Sequence, residues 1–171
     1  MHTLNFPGDV PAPERLIFAA DDDAGDLLLL ARLLEQPGIP YPCRLFASGE
    51  TMMDALLNVL RGAPAPLLCF LDVKMGRMSG FDVLRWIRCQ DAFDAVPVVM
   101  LSGSNDPHHP DDAAGLGAQC FAKKFPSAIE LRRLVAEAQR YAADHSTPAA
   151  FHLPCNLLVA CERPAPGVAL V

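Results

Sequence analysis

The chain contains the run Leu67-Leu-Cys-Phe-Leu-Asp72, in which five consecutive apolar residues end on an aspartate. A strand that is apolar at every position is buried on both faces, which is typical of a parallel sheet covered by helices. A charged side chain at the end of such a strand needs a partner or a ligand, because a buried charge alone is costly. The run therefore predicts a central strand and marks Asp72 as a candidate functional residue.

Four further apolar runs lie before and after this strand and alternate with helical patterns. They cover Arg15 to Ala20, Cys43 to Ala47, Pro97 to Leu101 and Ala118 to Ala122. Between the runs, apolar residues recur every three to four positions, as on a helix with one buried face. Pro107 and Pro110 weaken only the fourth helical segment. The alternation predicts a doubly wound α/β domain over residues 14–143, with a five-stranded parallel sheet and helices on both faces.

Composition and charge exclude several classes of protein. Fourteen Lys and Arg residues against twenty Asp and Glu residues give a formal net charge of −6, whereas nucleic-acid binders carry a basic surface. No apolar stretch reaches the roughly 20 residues that cross a bilayer, and the N-terminus has no signal-peptide pattern. None of the six cysteines lies in a C-x-x-C pair, which argues against zinc and redox sites. We expect a cytoplasmic protein without nucleic-acid or membrane partners.

Charged and hydroxyl side chains follow four of the predicted strands. Residues 21–23 are three aspartates after the first strand, Asp72 follows the third, Ser102 the fourth and Lys124 the fifth. The carboxyl ends of parallel strands meet at one edge of the sheet, where such domains bind ligands. Neighbouring carboxylates repel unless a cation lies between them, and a set of oxygen ligands suits Mg²⁺. Carboxylates, a hydroxyl and an ammonium group around Mg²⁺ predict phosphoryl transfer, with one carboxylate as nucleophile.

Four motifs resemble the receiver domain of bacterial two-component response regulators, which histidine kinases phosphorylate on an aspartate. They are Phe18-Ala-Ala-Asp-Asp-Asp23, Phe70-Leu-Asp-Val-Lys-Met-Gly-Arg-Met-Ser-Gly80, Pro97-Val-Val-Met-Leu-Ser-Gly103 and Gly117-Ala-Gln-Cys-Phe-Ala-Lys-Lys124. The resemblance spans residues 14–143. It implies a flavodoxin-like sheet with strand order 2-1-3-4-5 and a stand-alone response regulator of the CheY-like or phytochrome type.

The resemblance implies a role in phosphorylation for five matching residues. Asp72 is the phosphoacceptor. Ser102 is the switch hydroxyl that bonds to the phosphoryl group, beside the Gly103 amide. Lys124 pairs first with the acidic site and then with the phosphoryl group, and Phe121 occupies the aromatic switch position.

The resemblance also implies a magnesium site. Asp22 is the direct ligand, whereas its neighbour Asp21 acts mainly through water. The phosphoacceptor Asp72 and the backbone carbonyl of Lys74 complete the protein ligands.

Two positions depart from the family's pattern. A proline, often in a cis bond, normally follows the lysine, whereas Phe125 follows Lys124 here. Lys123 is therefore a second candidate for the lysine, although the spacing favours Lys124. Gly76 replaces the usual proline after Met75, which loosens the loop beyond the acceptor.

These matches and departures define the expected function and its alternatives. The resemblance implies a phosphoacceptor, with slow autodephosphorylation but no enzymatic role. Its partners are a sensor histidine kinase or phosphotransfer protein and a downstream protein target. A phosphorylation-independent pseudo-receiver is the main alternative, since Phe125 and Gly76 leave room for it. An aspartyl-phosphate phosphohydrolase usually has a carboxylate where this chain has Lys74, and a flavodoxin has a hydroxyl-rich loop where residues 21–23 are aspartates.

Three segments lie outside these motifs. His108 and His109 precede two aspartates, and without a further ligand at a defined spacing we interpret them as the solvated start of a helix. Residues 1–13 form a Pro-rich leader. Residues 144–171 form an apolar C-terminal extension, which we expect to pack on its own domain or to reach a second subunit in a homodimer.

Overall fold

The computed structural model describes residues 15–143 and 159–160. The strands are β1 (Ile17–Ala20), β2 (Cys43–Phe46), β3 (Leu68–Asp72), β4 (Val98–Ser102), β5 (Cys120–Lys123) and β6 (Val159–Ala160). The helices are α1 (Ala24–Leu34), α2 (Gly49–Leu60), α3 (Gly80–Arg88), α4 (His109–Gly115) and α5 (Ala128–Ala143), and a 3-10 turn spans Asp91–Phe93. The predicted leader and all of the predicted extension except β6 lie outside the described residues.

The first five strands form a parallel sheet in the order β2-β1-β3-β4-β5, which confirms the predicted fold class. β3 lies at its centre, and all five of its residues are buried. Asp72 and Ser102 are the last residues of β3 and β4, not the first residues after them, because Asp72 lies opposite Leu101 and Ser102 opposite Lys123 in the ladders. β6 extends the sheet as an antiparallel strand beside β5.

Helices cover both faces of the sheet, and each face has its own apolar core. On one face α1 and α5 contribute Leu27, Leu30, Leu34, Leu131 and Leu134. On the other face α2, α3 and α4 contribute Met52, Leu56, Val83, Leu84, Ile87 and Ala113. Burying a side chain of this size contributes about 1.5–3 kcal/mol. Within residues 15–143 and 159–160, none of the helices has the length and apolar character needed to cross a membrane.

The helix starts follow from short polar side chains. Asp23 caps α1 by accepting hydrogen bonds from the N–H groups of Gly25 and Asp26. Ser48 caps α2, and Ser79 forms a capping box with Asp82 at the start of α3. These caps pair amide groups that the first turn of a helix leaves unbonded.

α4 is the exception among the helices. It has only seven residues and a proline in its first turn, which agrees with the weakness expected from Pro107 and Pro110. His108 is exposed, but the interpretation as a solvated helix start is wrong for His109. Its side chain is only 12% exposed, because the ring packs against the rings of Phe81 and Phe121.

Candidate functional site

Three carboxylates converge at the carboxyl end of the sheet. Asp21 and Asp22 follow β1, and Asp72 ends the neighbouring strand β3. Oxygen atoms of all three side chains lie within 4.8 Å of one another. Asp21 and Asp72 are buried, whereas Asp22 is exposed. The cluster therefore offers oxygen ligands to a metal ion, with one side open to solvent.

Backbone amide groups hold these carboxylates in place. Asp72 Oδ2 accepts a hydrogen bond of 3.0 Å from the N–H of Lys74. Asp22 Oδ2 accepts one of 3.0 Å from the N–H of Gly76, which binds the loop after β3 to the end of β1. Asp21 Oδ1 accepts one from the N–H of Asp23. Each carboxylate keeps its second oxygen for another partner.

The ammonium group of Lys124 lies among these acids. Lys124 Nζ is 2.8 Å from Asp21 Oδ2 and 3.2 Å from Asp72 Oδ1. It is also 2.7 Å from Asp26 Oδ2, a partner in the first turn of α1 that the sequence analysis missed. An acidic residue in the first turn after β1 was the available signal, because that turn starts at the same edge of the sheet. Lys123, the second candidate, is exposed at the end of β5.

The electrostatics of the site follow from this crowding. Burial and the neighbouring Asp21 raise the pKa of Asp72, although Lys124 partly offsets them. Burial alone would lower the pKa of Lys124, but its hydrogen bonds to Asp21 and Asp26 raise it overall. Lys124 is therefore charged at neutral pH, and its single positive charge faces three carboxylates. Such a cluster favours an additional cation.

Three further predicted site residues lie on or next to β4 and β5: Ser102 ends β4, Gly103 follows it, and Phe121 lies on β5. Ser102 is buried, and its hydroxyl accepts a hydrogen bond of 3.0 Å from the N–H of Ser104. Gly103 lies beside the aliphatic part of Lys124, since a Cβ added there would be 3.8 Å from Lys124 Cδ. Phe121 belongs to the core under α2, α3 and α4. The structure thus brings four of the predicted residues (Asp21, Asp22, Asp72 and Lys124) into one cluster and places Phe121 outside it.

The segment after Lys124 has an unusual backbone conformation. Phe125 adopts a φ of 64°, and no cis peptide bond occurs in the described residues. A proline could not take this position, because its ring holds φ near −65°. Phe125, which replaces the family's proline, therefore has a backbone conformation that a proline could not adopt. The Phe125 side chain remains 47% exposed beside the site.

The sequence matches that of a known family. The family model of the response regulator receiver domain matches residues 17–136 of this chain. The chain belongs to this family. Receiver domains are signalling modules of two-component systems, and this receiver carries the acidic cluster at the expected edge of its sheet.

Similar proteins occur in plants and bacteria. The receiver is 28% identical over 125 residues to the two-component response regulator ORR3 of rice (Oryza sativa), covering 73% of this chain and 91% of that protein. The Mn²⁺-bound response regulator Rcp1 has a TM-score of 0.60 and 21% identity, covering 78% of this chain and 97% of that chain. The phosphorylated cyanobacterial phytochrome response regulator RcpA has a TM-score of 0.62 and 23% identity, covering 78% and 96%. At these identities the two structures show the shared fold.

Proposed function

We propose that this receiver accepts a phosphoryl group on Asp72 from a sensor histidine kinase or a phosphotransfer protein and signals through protein–protein contacts. The observation that carries the proposal is the 3.2 Å contact between Lys124 Nζ and the carboxylate of Asp72, inside a cluster of acidic side chains. The contact leaves a buried carboxylate beside one cation, and the N–H of Lys74 donates a hydrogen bond to its other oxygen. This is the arrangement that an aspartate nucleophile requires.

In the proposed reaction, an oxygen of Asp72 forms a bond to phosphorus while the bond to the leaving group breaks. The electron pair of that bond stays with the leaving group. No general base is needed, because Asp72 attacks as a carboxylate and has no proton to lose. Lys124, the Ser102 hydroxyl and the Gly103 amide then bind oxygens of the transferred group. Their contribution is electrostatic, since the phosphoryl group carries its charge on these oxygens.

The acidic cluster suits Mg²⁺ as the cofactor. We assign Asp21, Asp22, Asp72 and the backbone carbonyl of Lys74 as its protein ligands. Three carboxylates with oxygen atoms within 4.8 Å of one another match the preference of Mg²⁺ for hard oxygen ligands. When bound, the ion would neutralise charge on the phosphoryl oxygens.

The output of the proposed switch is a change in surface, not a chemical product. Recruitment of Ser102 and Lys124 by phosphorylated Asp72 shifts an equilibrium between two conformations. Phe121 reports the shift, because it lies on β5 next to the strand that ends in Ser102. We place this activity in the cytoplasm.

Labelling with a small phosphodonor tests the proposal. The full chain is incubated with phosphoramidate, with MgCl₂ or with EDTA, and its intact mass is measured. We expect one phosphoryl group per chain with MgCl₂ and none with EDTA. Absence of label at any donor concentration with MgCl₂ would support the pseudo-receiver instead.

The raised pKa of Asp72 gives a second prediction. In metal-free buffer, the titration midpoint of the Asp72 side chain, followed at its carboxyl carbon, should lie above the ordinary aspartate pKa of about 3.9. MgCl₂ should lower this midpoint, because the cation favours the charged form. The internal control is Asp23, whose pKa is lowered by hydrogen bonds from the N–H groups of Asp26 and Gly25. Carbon-13 NMR measures both groups in one titration. A midpoint for Asp72 at or below that of Asp23 would contradict the electrostatic description.

Exposed apolar side chains beside the site suggest where the phosphodonor protein docks. Helices of this sheet begin at the site edge, and Ile129 lies in the first turn of α5 with 58% of its surface exposed. Ile129→Ser should lower the rate of transfer from a phosphorylated phosphotransfer protein about tenfold, as for an interface side chain with a large contribution. The rate with phosphoramidate should not change.

The matched control for this variant is Leu60→Ser. Leu60 is 43% exposed and lies at the end of α2, at the opposite edge of the sheet. It should leave both transfer rates unchanged. Equal losses in the two variants, or a loss with phosphoramidate as well, would remove docking as the explanation.

The C-terminal extension is part of the proposal through β6. The two residues of β6 pair with Cys120 and Phe121 on β5, which supports the hypothesis that the extension packs on its own domain. In a homodimer, the same edge of β5 is the position where an extension from a second subunit would pair.

A further inference from the structure

A groove separates α3 from α4 on the face of the sheet that carries Phe121. Its volume is about 480 Å³, and it is lined by Phe81, Arg85, Asp111, Asp112, Gly115 and Leu116. Phe81 and Leu116 pack partly against the core below and form the apolar floor. A volume of this size accommodates a few side chains of a partner.

The charge of the groove is negative. Asp111 and Asp112 are exposed and have no ion pair within 4 Å among residues 15–143. The one basic side chain of the lining, Arg85, already pairs at 3.0 Å with Asp82. Two carboxylates therefore remain beside an apolar floor, which is complementary to a cation attached to an apolar side chain.

A row of three rings connects the groove to the switch position. The ring of Phe81 lies 5.7 Å from that of His109, and the ring of His109 lies 6.4 Å from that of Phe121, measured between centroids. His109 Nδ1 is buried and has no hydrogen-bond partner among the residues that the structure describes, so apolar packing holds this side of the imidazole in the row. Cores of this density respond to displacement in discrete steps, so a movement of Phe121 requires His109 and Phe81 to repack.

We propose that this groove binds a segment of a partner protein that presents a lysine or arginine next to an apolar side chain, and that the Phe81–His109–Phe121 row makes its affinity depend on phosphorylation. The proposed binding site depends only on the shape and charge of the groove. The coupling rests on the proposed function, since it needs Phe121 to move when Asp72 is modified. By reciprocity, an occupant of the groove changes the stability of the phosphorylated form.

Two peptides probe the groove, and NMR reports where they bind. Acetyl-Leu-Arg-Leu-Lys-amide and its neutral counterpart acetyl-Leu-Gln-Leu-Gln-amide are titrated onto the ¹⁵N-labelled full chain, with and without MgCl₂ and beryllofluoride, a phosphoryl mimic. We expect the basic peptide to shift the amide signals of Phe81 and Leu116. Asp111→Asn with Asp112→Asn should weaken its binding about fivefold, the effect of two partly exposed charge pairs.

A matched pair of acidic residues controls for general attraction to a protein of net charge −6. Glu50 and Asp54 lie on α2, away from the groove lining, and Glu50→Gln with Asp54→Asn removes the same charge. This variant should bind the basic peptide within twofold of the natural chain. Equal weakening in both double variants, or equal binding of the neutral peptide, would overturn the docking site.

A second pair of variants tests the coupling through His109. Beryllofluoride should change the affinity for the basic peptide at least threefold in the natural chain and in His109→Phe, which keeps a ring in the row, but not in His109→Ala. If beryllofluoride shifts the Ser102 and Gly103 amides and leaves peptide affinity unchanged, the coupling is wrong and the proposed function stands. If beryllofluoride shifts the amide signals of neither the site nor the groove, the proposed function fails, and the coupling fails with it.

Discussion

Asp72→Asn is expected to abolish labelling by phosphoramidate, with a rate at least about a thousandfold below that of the natural chain, as for the loss of a nucleophile. The amide keeps the size of the side chain and can accept the hydrogen bond from the Lys74 N–H. It removes the charged oxygen that attacks phosphorus. Intact mass in the presence of MgCl₂ measures the effect.

The same variant should be no less stable than the natural chain. The folded-state pKa of Asp72 is raised by burial and by Asp21, so the stabilising neutral form is present at low pH and is lost as pH rises through that pKa. Asparagine is neutral at every pH. In metal-free buffer at pH 7 the variant should therefore melt above the natural chain, and the difference should narrow below about pH 4.

Control variants separate the nucleophile from its neighbourhood. Asp54→Asn changes an exposed carboxylate on α2 and should leave labelling unchanged. Label that persists on Asp72→Asn would assign the phosphoryl group to another side chain, and the neighbouring Asp21 and Asp22 would then be tested first. Loss of label together with unfolding would contradict the stability argument, and the melting curves detect it.

Gly80→Ala is expected to have the largest effect on stability. A Cβ at Gly80 would lie 2.1 Å from the backbone oxygen of Asp72 and 3.0 Å from Met100 Cε. A backbone atom cannot move aside as a flexible side chain does, so α3 must shift away from the end of β3. We expect a loss of about 3 kcal/mol or more, or about 10 °C in melting temperature.

The shift should also disturb the site, because the displaced oxygen belongs to Asp72, the proposed phosphoacceptor. Labelling by phosphoramidate should fall at least about tenfold in the fraction that remains folded, as expected when a reacting group is misplaced. Gly76→Ala is the control, since a Cβ there meets no atom of the described part of the chain within 4 Å. It should stay within about 0.5 kcal/mol of the natural chain. A Gly80→Ala variant that melts like Gly76→Ala would show that the close approach between α3 and β3 is not rigid.

The fold and the location of the site could be predicted because their signals are local. Most strands are short apolar runs, as in the wholly buried β3, and every helix except α4 shows a buried stripe at helical spacing. Parallel strands place their carboxyl ends at one edge, so residues 21, 22, 72 and 124 could be assigned to one site before their distances were known. The spacing also favoured Lys124 over Lys123, and the ammonium of Lys124 contacts the acids.

Other features depend on residues that lie far apart in the sequence. Asp26 is 98 residues from Lys124, with which it pairs. Its position in the first turn of α1 indicates the edge of the sheet where it lies but not its partner. Arg88 donates a hydrogen bond to the carbonyl oxygen of Gly117, 29 residues further along the chain, which joins the end of α3 to the turn before β5. Such pairs form only when the sheet order brings their elements together.

The sequence alone determined the doubly wound architecture and the edge at which the acidic residues and the lysine meet, because both follow from periodicity along the chain. Only the tertiary structure decided which carboxylates hold Lys124, that Phe125 takes a left-handed conformation, and that His109 turns into the core between Phe81 and Phe121. These outcomes depend on the competition for space and charge among elements from distant parts of the chain. A residue's immediate neighbours in sequence do not encode that competition.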